Sequence, residues 1–260
     1  MPSKIRLLST DFDGTLVSHA GDSWLDRDCM EYIRALQSDG VIWAINTGRS
    51  VDLLESGLVD FGFPIHPDFI LTSERDIFRP SGNGGKKWEP WGDWNERVAR
   101  EHADLYTSAE SVLAEVVDFV THKTKARLLY HTAGLEGLVA ESEEELDRVT
   151  KFIDKARKKQ PKLHYQRNTI YLRFCHIDYH KGAALAELSR LLELAPEEIF
   201  AAGDHHNDIP MLDGRFARYS ACPANAIPEV KDAVKTAGGY VASQACGAGV
   251  HEALRFFAKD

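Results

Sequence analysis

The chain has 260 residues, enough for one large domain or two modest ones, and 43% of them are hydrophobic, enough for a substantial core. Forty acidic against 31 basic residues leave a net charge of −9, which excludes the broad positive face of a nucleic-acid binder and still permits a local pocket for a small anion. No apolar stretch approaches the roughly 18 residues that span a bilayer, and MPSKIRLLSTDFDG lacks a signal-peptide layout, so a cytoplasmic protein with no membrane partner is expected.

Ile5 to Ser9 is a short apolar run that feeds into Thr10-Asp11-Phe12-Asp13-Gly14, the profile of a buried strand ending in a functional loop. Leu25 to Asp39 carries Leu25, Cys29, Ile33 and Leu36 at helical spacing and stops at Gly40. Val41 to Ile45 reads as a second buried strand, ending at Asn46-Thr47-Gly48-Arg49. Val51 to Leu58 reads as a helix and Phe69 to Leu71 as a third strand. Strands alternating with helices predict an α/β fold, a parallel sheet with helices on both faces.

The middle of the chain differs. Arg79 to Gly92 is rich in glycine and proline and reads as a linker or hinge. A long helix is predicted from about Trp94 to Val120, followed by strands at Arg127–His131 and Gly137–Glu141 and a charged helix over Glu143–Lys159. Leu163–Gln166 and Thr169–Cys175 then read as a hairpin turning at Arg167-Asn168. This α-β-β-α-β-β block has the composition of a small α+β domain inserted into the α/β one. About 130 residues separate Thr47 from Lys181, whereas one βαβ step needs only about 30. The α/β style then resumes with an amphipathic helix over Lys181–Leu194 and a strand at Ile199–Ala202 ending in Gly203-Asp204. A strand near Phe216–Tyr219, a helix after Ile227 and a last helix over His251–Phe257 complete the chain. The four cysteines, at 29, 175, 222 and 246, form no CxxC pair and read as reduced, mostly buried small hydrophobes.

Asp11 and Asp13 stand two residues apart just past a buried strand, at the end of an open sheet where ligands bind. Carboxylates that close need a cation or a shared proton; a turn whose aspartates cap the next helix is the plainer alternative. Thr47 and Gly48 offer a hydroxyl and backbone N–H groups that suit an anion, although Thr47 alone would serve as an ordinary N-cap. Gly203-Asp204-His205-His206-Asn207-Asp208 adds two carboxylates, whose hard oxygens suit Mg²⁺. The histidine pair raises a zinc reading, against which stand the carboxylate-rich loop and side chains expected to point in different directions. Lys181, opening a helix after His180, would by itself pass for a solvated first-turn lysine.

In this order, DFDGTL, a strand ending in TGR, a lysine opening a helix and GDHHND, the sequence resembles the haloacid dehalogenase superfamily of phosphohydrolases over roughly residues 4–80 and 177–257. An insertion between TGR and the lysine resembles the C2-capped branch, and its αββαββ pattern the type IIB members, which include Cof-type and sucrose-phosphate phosphatases. The resemblance implies a Rossmann-like core over residues 1–82 and 177–260 with a cap over 83–176, hinged in Arg79–Gly92 and Cys175–His180. It implies a Mg²⁺-dependent phosphatase of a small phosphorylated metabolite, a sugar phosphate first, with a phosphomutase or phosphotransferase of the same superfamily as the alternative. On it Asp11 is the nucleophile, Asp13 the general acid and base, and Lys181 the cation that neutralises phosphate and nucleophile. Thr47, Gly48, Lys181 and Asn207 bind phosphate, while Asp11, the Asp13 carbonyl, Asp204 and Asp208 hold Mg²⁺. His205 stands where many relatives have glycine, and Ser73-Glu74-Arg75 where many have an Asn-Gly pair. Arg49, Arg75, Arg173 and His176 are candidates for the rest of the substrate. Trp88, Trp91 and Trp94 suit either core packing or stacking on a sugar.

Overall fold

The computed structural model describes residues 5–19, 24–82, 88–131 and 134–258. The chain divides into two compact units, Met1–Asn95 with Lys181–Asp260, and Glu96–His180.

The first unit is built on one sheet. In chain order it comprises β1 (Leu7–Thr10), α1 (Arg27–Ser38), β2 (Ile42–Asn46), α2 (Val51–Asp60), β3 (Phe69–Thr72), β4 (Asp76–Pro80) and β5 (Trp88–Pro90). The second unit spans α3 (Trp94–Lys123, which starts in the first), β6 (Arg127–His131), β7 (Gly134–Val139), α4 (Glu143–Ala156), β8 (Leu163–Asn168) and β9 (Tyr171–His176). The first unit then resumes with α5 (Lys181–Leu191), β10 (Ile199–Ala202), α6 (Ile209–Leu212), β11 (Tyr219–Cys222), α7 (Pro228–Thr236), β12 (Tyr240–Val241) and α8 (Cys246–Phe257). The sheet runs β12-β11-β10-β1-β2-β3-β4-β5. It is parallel from β12 to β3, and β4 and β5 are antiparallel additions at one edge. Strands β1 and β10 are buried along their whole length, which is why they read as unbroken apolar or small-residue runs rather than alternating ones. Trp43 is fully buried, and its indole N–H donates to Thr10 Oγ1 at 3.0 Å, so the largest core side chain also satisfies its polar edge.

Two expectations for this unit need correction. Arg79–Gly92 is not simply a linker, because Arg79 pairs with Glu89 across β4 and β5 and a 2.8 Å Arg79–Glu89 hydrogen bond ties the same register. An outer strand needs a ladder on one side only, so it tolerates the prolines that disguised it; the glycine-rich stretch 83–87 lies outside the described residues. The first compact unit runs through Asn95. Asn95 is itself tied to the sheet, its Oδ1 accepting the Ile77 amide at 2.8 Å and its Nδ2 donating to the Ile77 carbonyl at 2.9 Å. The strand expected near Phe216–Tyr219 is Tyr219–Cys222, set by pairing with β10, and past Tyr219 it consists of the small buried residues Ser220, Ala221 and Cys222, which carry little strand signal. The tryptophans take packing roles: Trp91 stacks on Phe69 at 4.8 Å, Trp94 is buried with its indole N–H on the Arg75 carbonyl, and Trp88 packs against the core.

The second unit has a four-stranded antiparallel sheet ordered β6-β7-β9-β8. Leu105, Ala109, Val112, Val116 and Val120 of α3 and Leu146, Val149 and Ile153 of α4 form one core with Leu138, Leu163, Leu172 and Phe174 of the strands. Helix α4 starts where Ser142 caps it, and the half-hidden Glu145 carboxylate accepts the amides of Lys125 and Glu141 at 2.8 and 2.9 Å. The hairpin turns at Thr169 rather than Arg167-Asn168, because Asn168 still pairs with Tyr171 and Thr169 takes a left-handed φ of 50°. All four cysteines are free; Cys29, Cys175 and Cys222 are buried and Cys246 is partly exposed.

Candidate active site

Strand β1 lies between β2 and β10, so the chain departs to opposite sides of it and leaves a crevice at the strands' carboxyl ends. Thr10 pairs with both Ile45 and Ala202, and the Asp11 amide continues the ladder to the Ala202 carbonyl at 2.9 Å. The register thus delivers Asp11, Asn46-Thr47 and Gly203-Asp204 side by side.

Asp11, Asp204 and Asp208 bring carboxylate oxygens within 4.8 Å of one another. Lys181, fully buried at the start of α5, enters this cluster, with Nζ 2.7 Å from Asp11 Oδ1 and 2.5 Å from Asp208 Oδ1. It is not a solvated lysine. Burial works to lower its pKa, but Asp11, Asp208 and Glu74 together outweigh that and hold the ammonium above its ordinary range. Burial first, then the neighbouring Asp208 charge, raises Asp11 well above the usual carboxylate range and pushes Asp204 up to about 7. Carboxylates this reluctant to ionise together, all offering hard oxygens, fit a divalent cation of the Mg²⁺ type. Asp208 is largely committed to the loop, since its Oδ2 accepts the amides of Asp204 and His205, each at 2.9 Å. Asp204 is steadied by Thr15, whose hydroxyl donates to it at 2.9 Å. Gly14 sits beside the Asp204 carboxylate at φ 77°, where any Cβ would collide with those oxygens.

Asp13 faces elsewhere. Arg49 grips its carboxylate by two hydrogen bonds, and His19 Nε2 lies 2.7 Å from Asp13 Oδ1. Burial would raise this carboxyl, but the Arg49 bonds and charge, helped by His19, hold it below the usual range. Arg49, expected to meet remote parts of a substrate, is instead committed to Asp13 and to the Leu53 carbonyl at 3.0 Å. Thr47 does not cap α2; Ser50 does, leaving the buried Thr47 to accept the Arg49 amide at 3.2 Å. Asn207 is buried and donates to Glu74 Oε1 at 3.1 Å. Glu74, unassigned from sequence, is buried here and borders Gly48; the only sequence signal was the departure at Ser73-Glu74-Arg75. Arg75 lies 3.9 Å from Asp76.

Two sequence candidates belong to the second unit. Arg173 Nε lies 3.3 Å from Glu136. His176 is 1% exposed and packs with His102 and Tyr179, its Nδ1 accepting the Asp178 amide at 3.2 Å, so in this structure it faces protein rather than solvent. His205 and His206 were expected to point apart, yet their rings meet at 4.9 Å with the Nδ1 atoms 3.4 Å apart, because a tight 3₁₀ turn at His206–Asp208 folds one back toward the other. Neither joins the acidic cluster.

A family model described as haloacid dehalogenase-like hydrolase matches residues 103–254, more than half of the chain. A phosphoglycolate phosphatase of Thermoplasma volcanium is 25% identical over 97% of this chain and 98% of its own length. The sucrose-phosphatase of Synechocystis sp. PCC6803, solved with sucrose and phosphate, superposes with a TM-score of 0.72 at 18% identity, covering 98% of each chain. SMU.1108c of Streptococcus mutans superposes with a TM-score of 0.68 at 19% identity, over 98% of this chain and all of that one. These two solved structures share the fold. Among the described residues no helix is long and apolar enough to cross a membrane.

Proposed function

The chain belongs to the haloacid dehalogenase-like hydrolase family, and on that premise we propose that it is a Mg²⁺-dependent phosphatase of a small phosphorylated metabolite, a sugar phosphate first among them. The observation that carries this reading is the buried Asp11–Lys181–Asp208 chain at the end of the central strand, with Asp204 beside it. A fully buried ammonium between carboxylates costs desolvation to assemble and is weak evidence of a stabilising role, so a role in binding an anion accounts for it better. The phosphatase relatives, one acting on phosphoglycolate and one solved with sucrose and phosphate, support a small ester as substrate. Residues 96–180 are, on this reading, the inserted cap of the family.

Phosphoryl transfer is mainly positioning and charge stabilisation. Asp11, Asp204 and the Asp13 carbonyl would hold the cation, with Asp208 behind them; when bound, it neutralises phosphoryl charge as it develops. Lys181 holds a phosphate oxygen and orients the Asp11 carboxylate, while Thr47, the Gly48 amide and Asn207 receive the others. Asp11 attacks the phosphorus in line, forming an aspartyl-phosphate as the ester oxygen leaves. Asp13, which Arg49 and His19 hold as the carboxylate in this structure, must first take up a proton to serve as acid; it then gives that proton to the leaving oxygen and afterwards takes one from the water that hydrolyses the intermediate. A phosphate-release screen with Mg²⁺ across sugar phosphates, nucleotides and phosphorylated acids tests the reading. Release from one class, abolished by Asp11→Asn, supports it; no release from any ester, an activated aryl phosphate included, overturns it.

A further inference from the structure

The turn between β3 and β4 holds two consecutive non-glycine residues in the left-handed region, Ser73 at φ 50° and Glu74 at φ 65°. Such a pair is strained and persists only where its surroundings hold it, which makes it a pointer to function. Three amides hold this one: Ser73 donates to the Arg49 carbonyl at 2.8 Å, Glu74 to the Thr47 carbonyl at 3.0 Å and Arg75 to the Thr72 carbonyl at 3.0 Å. The first two bonds tie the turn to the Thr47–Arg49 loop, and the Glu74 side chain is carried inward, 7% exposed. Its Oε1 would stand 3.0 Å from a Cβ on Gly48 and accepts from Asn207 Nδ2 at 3.1 Å. Gly48 follows β2 and Asn207 follows β10, on opposite sides of β1, so one carboxylate spans two segments that no strand pairing joins directly.

The Asn207 amide depends on this contact. Its Nδ2 carries two protons, of which Glu74 takes one, and its buried Oδ1 has no partner among the described residues. A carboxylate only accepts, so Glu74 admits the amide with Nδ2 towards it and rejects the flipped form. The second Nδ2 proton is left for an arriving anion. We propose that Glu74 is a positioning residue, which fixes the Asn207 amide against the Thr47–Arg49 loop so that Asn207 and Gly48 receive a phosphate in one preset geometry. The inference rests on the phosphatase reading above. A donor ordered before binding spares the anion the entropy of ordering it, and inside a low-dielectric site a well-aimed donor counts for more than in water. The Glu74 charge itself repels a phosphate, so its benefit comes through Asn207, and the two effects can be separated.

Affinity for inorganic phosphate, measured by calorimetry on the full chain with Mg²⁺, tests the proposal through a double-mutant cycle of Glu74→Gly and Asn207→Ala. Glycine suits the φ of 65°, so the side chain is removed without strain on the turn. Direct repulsion between the Glu74 charge and phosphate is present whether or not Asn207 is, so the cycle cancels it and leaves the part that acts through the amide. Glu74→Gly is expected to weaken phosphate binding about tenfold more when Asn207 is present than in the Asn207→Ala background. Glu74→Gln, which keeps an acceptor for Asn207 without the charge, should bind phosphate at least as tightly as the unsubstituted protein. A purely structural role would move the melting temperature of Glu74→Gly and leave the cycle additive. Coupling under about twofold, Glu74→Gln as weak as Glu74→Gly, or no binding of phosphate by the unsubstituted protein overturns the proposal. Failure of the phosphatase reading shows separately, as absence of turnover of p-nitrophenyl phosphate by the unsubstituted protein.

Discussion

Arg49 donates to both carboxylate oxygens of Asp13, through Nε at 2.8 Å and Nη2 at 2.7 Å, while its guanidinium carbon lies 4.7 Å from the centre of the Phe12 ring. Arg49, from the loop after β2, thus locks the Asp13 carboxylate into a fixed plane. The fork geometry is specific to arginine, and a lysine would supply charge without the two parallel bonds.

Arg49→Gln and Arg49→Lys are expected to lower kcat for a sugar phosphate by about tenfold or more while KM changes little, with lysine rescuing only in part. Steady-state kinetics of the two variants check this. A rise in KM with kcat unchanged would return Arg49 to the role of a substrate contact.

Asp11→Asn should give neither product nor aspartyl-phosphate. Asp13→Asn should be slow, because general acid–base assistance is worth about 10²–10⁴-fold. Its loss should depend on the leaving group: phosphorylation by an activated aryl phosphate survives better than by a sugar phosphate, and hydrolysis of the intermediate stays impaired with both. Single-turnover kinetics separate the two steps. Equal loss for both leaving groups in the first step would remove Asp13 from its role as acid.

Burial and the nearby Asp208 charge raise Asp204 to about 7 and Asp11 well above the ordinary range, so the folded protein binds protons there more tightly than the unfolded chain. Stability therefore falls as pH rises from about 4 towards 7 in the presence of chelator. Mg²⁺ competes with those protons, so its stabilising effect should grow over the same range. Melting temperatures between pH 5 and 8, with chelator and with Mg²⁺, test both trends, and Asp204→Asn should flatten them. Activity should vanish with chelator and return with Mg²⁺; better recovery with zinc would reopen the roles of His205 and His206.

Trp94 is 7% exposed, and its indole N–H reaches the Arg75 carbonyl at 2.7 Å. Trp94→Ala should destabilise the protein by about 3 kcal/mol, within the usual range for removing a buried aromatic side chain. Urea unfolding measures this. A loss under about 1 kcal/mol would return Trp94 to a surface role such as sugar stacking.

The sequence by itself determined the α/β core, the inserted αββαββ block and the principal acidic residues, because each rests on local pattern. Buried parallel strands read as apolar runs, and the chemistry-bearing residues follow them directly: Asp11 after β1, Thr47 after β2, Asp204 after β10. Lys181 was legible only in company with those motifs, since nothing local distinguishes a buried first-turn lysine from a solvated one. The edge strand β5, and the Pro80 end of β4 beside it, were hidden by proline and glycine, whose usual meaning an edge or strand-end position suspends. Only the tertiary structure decided the partners of the charged side chains. Arg49 is 36 residues from Asp13 and Glu74 is 133 from Asn207, and both pairs form because parallel neighbours in the sheet present their carboxyl ends to one crevice. A charged side chain carries no record in sequence of which opposite charge it will meet, because that depends on strand order and register, and these are settled by the packing of the whole sheet.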